Sequence, residues 1–567
     1  MSLGRLGLGR LGRELFLVCL GALLVSAVLT WPTLLHPAST VPADLGDPLA
    51  QSYVVAWGGH ALLTNPAGLW DASNFFPEHM TLAYSDSMLG YAPFGLIGSG
   101  PAAALVRYNL LFWLVAALAS VSAYALARQL GSRVPGALVA GLAFAYAPWR
   151  LAHAGHLNVL SSGGIVLALA LLARGFGYSF SRGYQPERVR PGWIIAGWLV
   201  ACWQVTIGYA IGLPFVYLLL LCCLVAAARW LLAGRARPAL GRPLLWCTLG
   251  GGLLFAAVVV VMARPYLAVT TAFPSAVRTV AELQLFSPSP VGFFTAPTTS
   301  WLWGNATSSV YKTFVAPAEM ALFPGLVVLV LAFAGLSYSA WRGRQRIWLG
   351  IGLAVGTLLC LGTNFFGGAV TYLPLLVLPG WDGMRTPGRL ILWVMLLLGL
   401  LAAGFLTQVQ NDLEARWADR SGLGARWRAA ALVVPALLVA IEGVNTLDHP
   451  APEPPPAQLQ AAAGPMLMLP SDSWWDSRAM WWNTAGFQRM VNGAASFSPP
   501  STDEIRNSAK SFPDAGSVDY LRKAGIRTVV LVPDSTYGTP WQQASGKPID
   551  GLGIKRTYAG TAIIYTL

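Results

Sequence analysis

Five carboxylates stand close together near the start of this chain, in the long segment between its first two hydrophobic stretches. They are Asp44, Asp47, Asp71, Glu78 and Asp86, with His60 among them and no lysine or arginine before Arg107. A carboxylate can remove the proton from an acceptor hydroxyl. Several carboxylates can also bind Mg²⁺ or Mn²⁺. General-base catalysis is therefore the chemistry that this segment suggests, and metal dependence stays open because no compact ligand spacing demands an ion.

Two other groups of residues carry cationic and imidazole side chains. Arg150, His153 and His156 are spaced three apart, so a continuing helix would place them on one face. Arg385 and Arg389 lie within the sequence Trp-Asp-Gly-Met-Arg-Thr-Pro-Gly-Arg. Arginine can hold a phosphate group bidentately and stabilise it as it leaves. These residues suit the transfer of a sugar from a polyprenyl-phosphate donor.

A third group lies in the long loop that ends at Glu319, which also contains several tryptophans. Indole rings can lie against sugar faces and sit at the headgroup level of a membrane. We therefore take Glu319, His60 and Asp86 as candidate substrate-binding residues, beside the two histidines and three arginines above. Asp47 and Asp44 are the candidate catalytic bases.

The elements that must position these residues are membrane helices. The chain has 567 residues, 55% of them hydrophobic and 11% charged, and its mean hydropathy is +0.56. Repeated apolar runs of roughly 18 or more residues are long enough to cross a bilayer. The net charge of +13 comes from arginines in short loops, as the positive-inside rule describes, and these loops are drawn to anionic headgroups. The positive-inside rule thus explains the net positive charge, and we expect no nucleic-acid partner.

The arginine loops orient about eleven predicted spans, with the N-terminus in the cytoplasm. An odd number of spans places the C-terminal segment outside. Residues 88–106 are apolar but interrupted by Pro and Gly, and we place them outside as a juxtamembrane or re-entrant segment. The predicted spans are 14–36, which we take as uncleaved, 109–127, 135–148, 159–174, 193–209, 211–231, 243–264, 318–338, 347–365, 389–408 and 429–446.

The sequence predicts two domains. Residues 1–446 form a transmembrane domain that includes the first outer loop, 37–108, and residues 447–567 form a small extracytoplasmic α/β domain after a proline-rich spacer. In that second domain we predict strands at 466–470, 526–533 and 562–567 and a helix at 516–524. All six cysteines fall within hydrophobic spans, so neither a disulfide framework nor a metal-type cysteine site is expected.

These features resemble the GT-C superfamily of membrane glycosyltransferases. The resemblance rests on Asp44-Leu-Gly-Asp47-Pro48 after the first span, the acidic first outer loop, about eleven spans and the outer C-terminal domain. A narrower set of bacterial polytopic membrane proteins shares several motifs with this chain. These motifs are Phe76-Pro77, Tyr84-Ser-Asp86, Arg150-x-x-His153-x-x-His156, Glu319-x-x-Leu-Phe-Pro-Gly325 and Asp382-Gly-Met-Arg385-x-Pro387-x-Arg389.

The resemblance implies a GT-C-like helical fold in the bacterial inner membrane and an inverting glycosyltransferase. The donor would be a polyprenyl-phosphate sugar and the acceptor an extracytoplasmic glycan or lipid. In GT-C enzymes an early aspartate of the first outer loop is the catalytic base, or a metal ligand in oligosaccharyltransferases, and this role falls on Asp47 or Asp44. Trp474-Trp475-Asp476 spells an oligosaccharyltransferase motif outside its expected context, so transfer to protein is not supported.

Other interpretations stay open at this point. Asp47, Asp86 and Glu319 can each be a helix cap, and the arginines and histidines can be interfacial residues that meet lipid headgroups. A transporter or flippase of lipid-linked glycans is a second hypothesis, but such proteins keep ionisable residues at mid-membrane, where this chain has almost none. A non-catalytic relative that binds glycan is a third.

Overall fold

The computed structural model describes residues 10–234, 241–416, 423–456 and 459–567 and is mostly helical. In chain order the α-helices are α1 (Arg10–Leu29), α2 (Asp47–Thr64), α3 (Ala92–Gly95), α4 (Gly100–Leu130), α5 (Val134–Tyr146), α6 (Leu157–Leu160), α7 (Gly163–Gly175), α8 (Pro191–Ile207), α9 (Tyr209–Leu232), α10 (Arg242–Ala272), α11 (Val280–Phe286), α12 (Gly304–Tyr311), α13 (Pro317–Met320), α14 (Leu326–Ser337), α15 (Gly343–Cys360), α16 (Ile391–Arg416), α17 (Leu423–Glu442), α18 (Trp475–Asn483), α19 (Pro500–Ser508) and α20 (Ala515–Lys523). The strands are β1 (Tyr178–Ser179), β2 (Gly183–Tyr184), β3 (Met466–Leu469), β4 (Thr528–Leu531), β5 (Lys555–Ala559) and β6 (Ala562–Thr566).

The apolar helices make this a polytopic helical membrane protein, as the composition predicts. Six helical segments in the described chain are long and apolar enough to cross a bilayer, and shorter apolar helices accompany them. Each of the eleven predicted spans overlaps a helix. The number of crossings and their orientation stay predictions, since several of these helices are shorter than a bilayer requires.

Residues 88–106 differ from the prediction. Ala92–Gly95 forms only a short helix, and from Gly100 the chain enters α4, which continues without interruption through the predicted second span to Leu130. The second half of this segment is therefore the first part of a long helix and not a separate re-entrant element. The pattern Gly-Ser-Gly-Pro at 98–101 marks the start of that helix, because proline is favoured in a first helical turn.

The described chain divides into two compact units. Unit 1 consists of the described parts of 1–32, 112–262 and 278–447, and unit 2 consists of 33–111, 263–277 and 448–567. This grouping differs from the predicted domains, which placed the first outer loop with the transmembrane helices. The reason lies in contacts within unit 2, where the backbone N–H groups of Val41 and Ala43 donate to the carbonyl oxygens of Pro450 and Asp448.

Unit 1 is a bundle in which glycines allow close helix packing. A Cβ placed at Gly136 of α5 would lie 2.5 Å from the backbone oxygen of Ala403 in α16, and one at Gly335 of α14 would lie 2.3 Å from that of Leu401. Helices in membranes pack closely through such small residues, because lipid supplies no hydrophobic drive between them. The residues of the candidate site lie in the turn that follows α5 and in the segments that precede α14 and α16.

Unit 2 contains a four-stranded sheet in the order β3-β4-β6-β5. β3 and β4 are parallel, while β4–β6 and β6–β5 are antiparallel. The three predicted strands and the predicted helix correspond to β3, β4, β6 and α20. The sequence missed β5, whose Lys-Arg-Thr-Tyr-Ala pattern is mostly polar, and it treated as loop the region of α2, an 18-residue helix.

Candidate functional site

His153 and His156 come together at the turn that follows α5. Pro148–His153 forms a 3-10 helix instead of a continuing α-helix, and His156 directly precedes α6. The two imidazoles nevertheless meet, with 2.9 Å between their Nδ1 atoms. His153 is fully buried and His156 is half-buried. The two histidines therefore lie side by side, but not through the continuing helix that their spacing suggested.

Glu319 lies against this pair and forms a tight ion pair with Arg389. Arg389 Nη2 lies 2.5 Å from Glu319 Oε1, and Arg389 Nε lies 3.1 Å from each carboxylate oxygen. A Cβ at Gly388 would lie 2.3 Å from the backbone oxygen of Glu319. Glycine thus permits the close approach that makes this pair. Glu319 is not the cap of α13, because that position belongs to Ala316 and no side chain caps it.

Burial and the ion pair with Arg389 shift the pKa of the Glu319 carboxyl group in opposite directions. Burial is the largest single effect and raises the pKa of this carboxyl group, but the Arg389 guanidinium, its hydrogen bonds and the two histidines together lower that pKa to about 2. Glu319 is therefore ionised at neutral pH. Burial lowers the pKa of His153 to about 3, against the opposing effect of Glu319, so the His153 imidazole is neutral.

This cluster has the donor set of a divalent cation site. Ligand atoms of His153, His156 and Glu319 lie within 4.8 Å of one another, and they form the only such metal-type group among the described residues. His153 Nε2 is buried without a hydrogen bond in the described chain and lies 3.9 Å from Glu319 Oε2. Two imidazoles and a carboxylate suit Zn²⁺ or another transition-metal ion better than Mg²⁺. The cluster is thus the place where an ion could bind, whereas the first-loop carboxylates form no comparable group among the described residues.

Arg385 stands next to the Glu319–Arg389 pair without a carboxylate of its own. Its guanidinium carbon lies 4.9 Å from the centroid of the Phe286 ring. No hydrogen bond or ion pair joins Arg385 to the rest of the described chain. Burial lowers the pKa of Arg385, and the nearby Arg278 and Arg389 lower it further. This side chain therefore has unused donors in a cationic environment.

The sequence did not single out Arg278 and its partner as site residues. Arg278 Nη1 lies 3.2 Å from Glu282 Oε1, and the Arg278 backbone N–H donates to the backbone oxygen of Asp382. Arg278 and Arg389 therefore each have an ion-pair partner, whereas Arg385 has none within the described chain. Its unused guanidinium donors suit an anionic group such as a phosphate.

Arg150 has contacts of a different kind. It is buried, and its guanidinium donates to the backbone oxygens of Phe144 and Leu160 and to Ser162 Oγ, at 2.7, 3.2 and 2.5 Å. It also lies over the rings of Phe144 and Trp149. These contacts tie the turn to the start of α7. They give Arg150 a structural role, and its predicted contact with a donor phosphate stays a prediction.

Glu442 is a buried carboxylate with a structural use. Its oxygens accept from the backbone N–H groups of Leu326 and Val327, at 2.7 and 3.2 Å, and from Trp303 Nε1 at 3.1 Å. It thus satisfies the first turn of α14, where negative charge is favoured. Gly325, at φ +98°, is required there because a Cβ would lie 2.8 Å from Glu442 Oε2.

The predicted base residues belong to unit 2, at the start of α2. Asp47 is the first residue of this helix and is exposed, while Gly46 occupies the cap position and no side chain caps it. Asp44 Oδ1 accepts from the Gly46 N–H at 2.8 Å. Both carboxylates interact electrostatically with Tyr108. Gly46, and not Asp47, therefore occupies the cap position of α2, and the two aspartates lie in one small region of unit 2.

His60 and Asp86 have separate surroundings in unit 2. The His60 ring stacks on Phe487 with 4.4 Å between centroids, and burial lowers its pKa. Met88 occupies the cap position of the short 3-10 helix that follows Asp86. Substrate binding by these two residues stays a prediction.

Comparison with solved structures gives the class of the fold. The chain aligns over 99% of its length with the cryo-EM structure of the arabinofuranosyltransferase AftD from Mycobacteria, with 17% identity and a TM-score of 0.57, and the match covers 40% of that chain. A mutant form of AftD aligns over 99% of this chain and 42% of its own length, with 16% identity and a TM-score of 0.54. The chain thus shares a fold with AftD, in agreement with the resemblance, and spans about two fifths of that chain.

A weaker likeness is to ArnT from Cupriavidus metallidurans bound to undecaprenyl phosphate. It has 15% identity and a TM-score of 0.45, and it covers 97% of both chains. No family model matches this chain, and no curated protein matches it either.

Proposed function

We propose that this protein is a membrane glycosyltransferase that moves a sugar from a polyprenyl-phosphate donor to an extracytoplasmic glycan or lipid acceptor. The observation that carries the proposal is the Arg385 guanidinium, which lies near Arg278 and Arg389 and has no hydrogen-bond or ion-pair partner among the described residues. A donor phosphate is a chemical match for it, because an oxyanion accepts bidentate guanidinium hydrogen bonds. The GT-C fold supports the same class of reaction.

The proposed reaction is a single displacement with inversion. The acceptor hydroxyl oxygen forms a bond to the anomeric carbon while the bond from that carbon to the phosphate oxygen breaks. The polyprenyl phosphate leaves with the electron pair, and the developing charge is stabilised by Arg385. The acceptor proton passes to Asp47, with Asp44 as the alternative base.

The direct test of the proposal is transfer by the purified full chain in detergent. Polyprenyl-phosphate donors that carry different labelled sugars are incubated with glycan and lipid acceptors. We expect one donor to lose its sugar to an acceptor in a time-dependent reaction. Movement of intact lipid-linked glycan across vesicles, without any transfer, would instead support a transporter.

For Arg385, we expect Arg385→Ala to lower kcat/KM for the donor by about 10–100-fold, the worth of hydrogen bonds to a charged group. Arg385→Lys should recover only part of this loss, because an ammonium cannot reproduce the guanidinium fork. The measurement is initial rate against donor concentration. Arg344→Ala is the matched control, since Arg344 is exposed and lies elsewhere in the chain. Wild-type kinetics in Arg385→Ala would remove this residue from donor binding.

We also propose that the protein lies in the bacterial inner membrane with its N-terminus in the cytoplasm and the C-terminal segment outside. Single cysteines at Ala67 and Ser511, which are both exposed, should react with an impermeant thiol reagent in intact cells. A cysteine at the exposed Gly343 should react only after lysis. The background replaces all six native cysteines. Labelling of Gly343→Cys alone in intact cells contradicts this orientation.

A further inference from the structure

A cavity of about 550 Å³ in unit 1 has a strongly cationic lining. It lies outside the group of residues around Arg385, and no aspartate or glutamate lines it. The charged and aromatic residues of its lining are Arg128, Arg174, Arg182, Arg188, Arg190 and Trp193. They come from the end of α4, the end of α7, the β1–β2 hairpin and the start of α8.

Specific hydrogen bonds hold the hairpin that forms one side of the cavity. The Phe180 N–H donates to the Leu130 backbone oxygen at 2.9 Å, and Gln345 Nε2 donates to the Phe180 backbone oxygen at 2.7 Å. Gly131, at φ +113°, permits the contact, because a Cβ there would lie 2.6 Å from Ser181 Oγ. The cavity is therefore built by defined contacts of the chain.

Most of the positive charge around the cavity has no carboxylate partner. Arg128 pairs with Glu14 at 2.7 Å. Arg174 instead lies 5.0 Å over the Trp193 ring, and Arg182 and Arg188 form no ion pair with any described residue. Like charges held together in this way repel one another, and a bound anion would remove that repulsion.

The positive-inside rule accounts for only part of this arrangement. It requires arginine or lysine in short cytoplasmic loops, but it does not require them to surround one cavity without acids. Every basic residue of this lining is arginine. Arginine is the side chain that binds phosphate oxygens bidentately.

We propose that this cavity binds a ligand with phosphate groups that carry at least two negative charges. Arg174, Arg182 and Arg188 bind the phosphate oxygens, and the indole of Trp193 supports the Arg174 guanidinium from below. The phosphate groups belong either to an anionic phospholipid headgroup or to a free metabolite.

The test measures the thermal midpoint of the full chain in neutral detergent as ligand is added, because a ligand that binds the folded state raises it. One arm adds sodium pyrophosphate at constant ionic strength, and the other adds phosphatidylglycerol against phosphatidylcholine in mixed micelles. The variant is Arg182→Gln with Arg188→Gln, both exposed in the native chain. The matched control is Arg229→Gln with Arg344→Gln, also exposed and outside the lining.

We expect the wild type and the control to be stabilised by at least one ligand, and the cavity variant to need about tenfold or more ligand for the same shift, as expected for lost charge-assisted bonds. A response to pyrophosphate alone identifies a soluble ligand, and a response to phosphatidylglycerol alone identifies a headgroup. Either result supports the proposal. Equal responses in both double variants, or no response of the wild type in either arm, overturn it.

Discussion

Asp47→Asn is expected to lower the rate of sugar transfer by about 10²–10⁴-fold, the usual worth of a general base. Asparagine keeps the size of the side chain but cannot accept a proton as a carboxylate does. Gly46, and not Asp47, occupies the cap position of α2, and an asparagine oxygen can accept hydrogen bonds as the carboxylate does. The favourable effect of a negative charge in the first helical turn is lost, at a cost of about 0.3–1 kcal/mol. The measurement pairs initial transfer rates with the thermal midpoint of each variant in detergent.

Asp44→Asn is the companion variant for this experiment. Asp44 accepts a hydrogen bond from the Gly46 N–H, and an asparagine oxygen can accept the same bond, so the fold should be preserved. If Asp47→Asn is active and Asp44→Asn is inactive, the base is Asp44 and not Asp47. Full activity in both variants would show that this loop supplies no base.

Asp476→Ala is expected to destabilise the protein by about 3–5 kcal/mol, the cost of breaking a buried ion pair by removing one partner. Asp476 is fully buried, and its Oδ2 lies 2.6 Å from Arg506 Nη2. It also accepts from Asn492 Nδ2 at 2.7 Å and from the Gly493 N–H at 3.0 Å. Alanine removes this shared acceptor, while Arg506 keeps its ion pair with Asp503 and Asn492 keeps its bond to the Met468 backbone oxygen.

The stability of Asp476→Ala is measured on the full chain in detergent, by proteolysis across a urea series with detection of the C-terminus. Asp519→Ala is the matched control, because Asp519 is exposed and such substitutions usually stay within about 0.5 kcal/mol. The double variant with Arg506→Ala should cost less than the sum of its single changes. A stable but inactive Asp476→Ala would instead favour a catalytic role for Trp474-Trp475-Asp476.

Single motifs predicted which residues belong to the candidate site, but not which of them pair. Each of His153, His156, Glu319 and Arg389 was a candidate by its residue type and its place near a span end. Their pairing was not predictable, because Glu319 and Arg389 are 70 residues apart in sequence. The helix expected to align Arg150 with the histidines ends early, so Arg150 donates to Phe144 and Leu160 instead.

Local patterns by themselves determined the class of this protein. Apolar runs long enough for a bilayer predicted the helices, arginine loops predicted an orientation that awaits its test, and short apolar strand patterns predicted β3, β4 and β6. These properties depend on neighbouring residues and on transfer to lipid or core, so they are readable from short windows. The edge strand β5 has too few apolar residues to be read in this way, and α2 lies within the segment that was read as the first outer loop.

Only the tertiary structure decided which polar groups meet. In the folded chain the neutral His153 lies beside Glu319, and Glu319 forms an ion pair with Arg389. Arg385 has no carboxylate partner within the described chain. Arginines of four elements line one cavity. The tertiary structure also assigned Asp476 and Glu442 to structural hydrogen bonds. A buried polar group must find partners wherever the packed chain brings them. Those partners are set by the packing of distant segments, because the residues concerned lie far apart in the sequence.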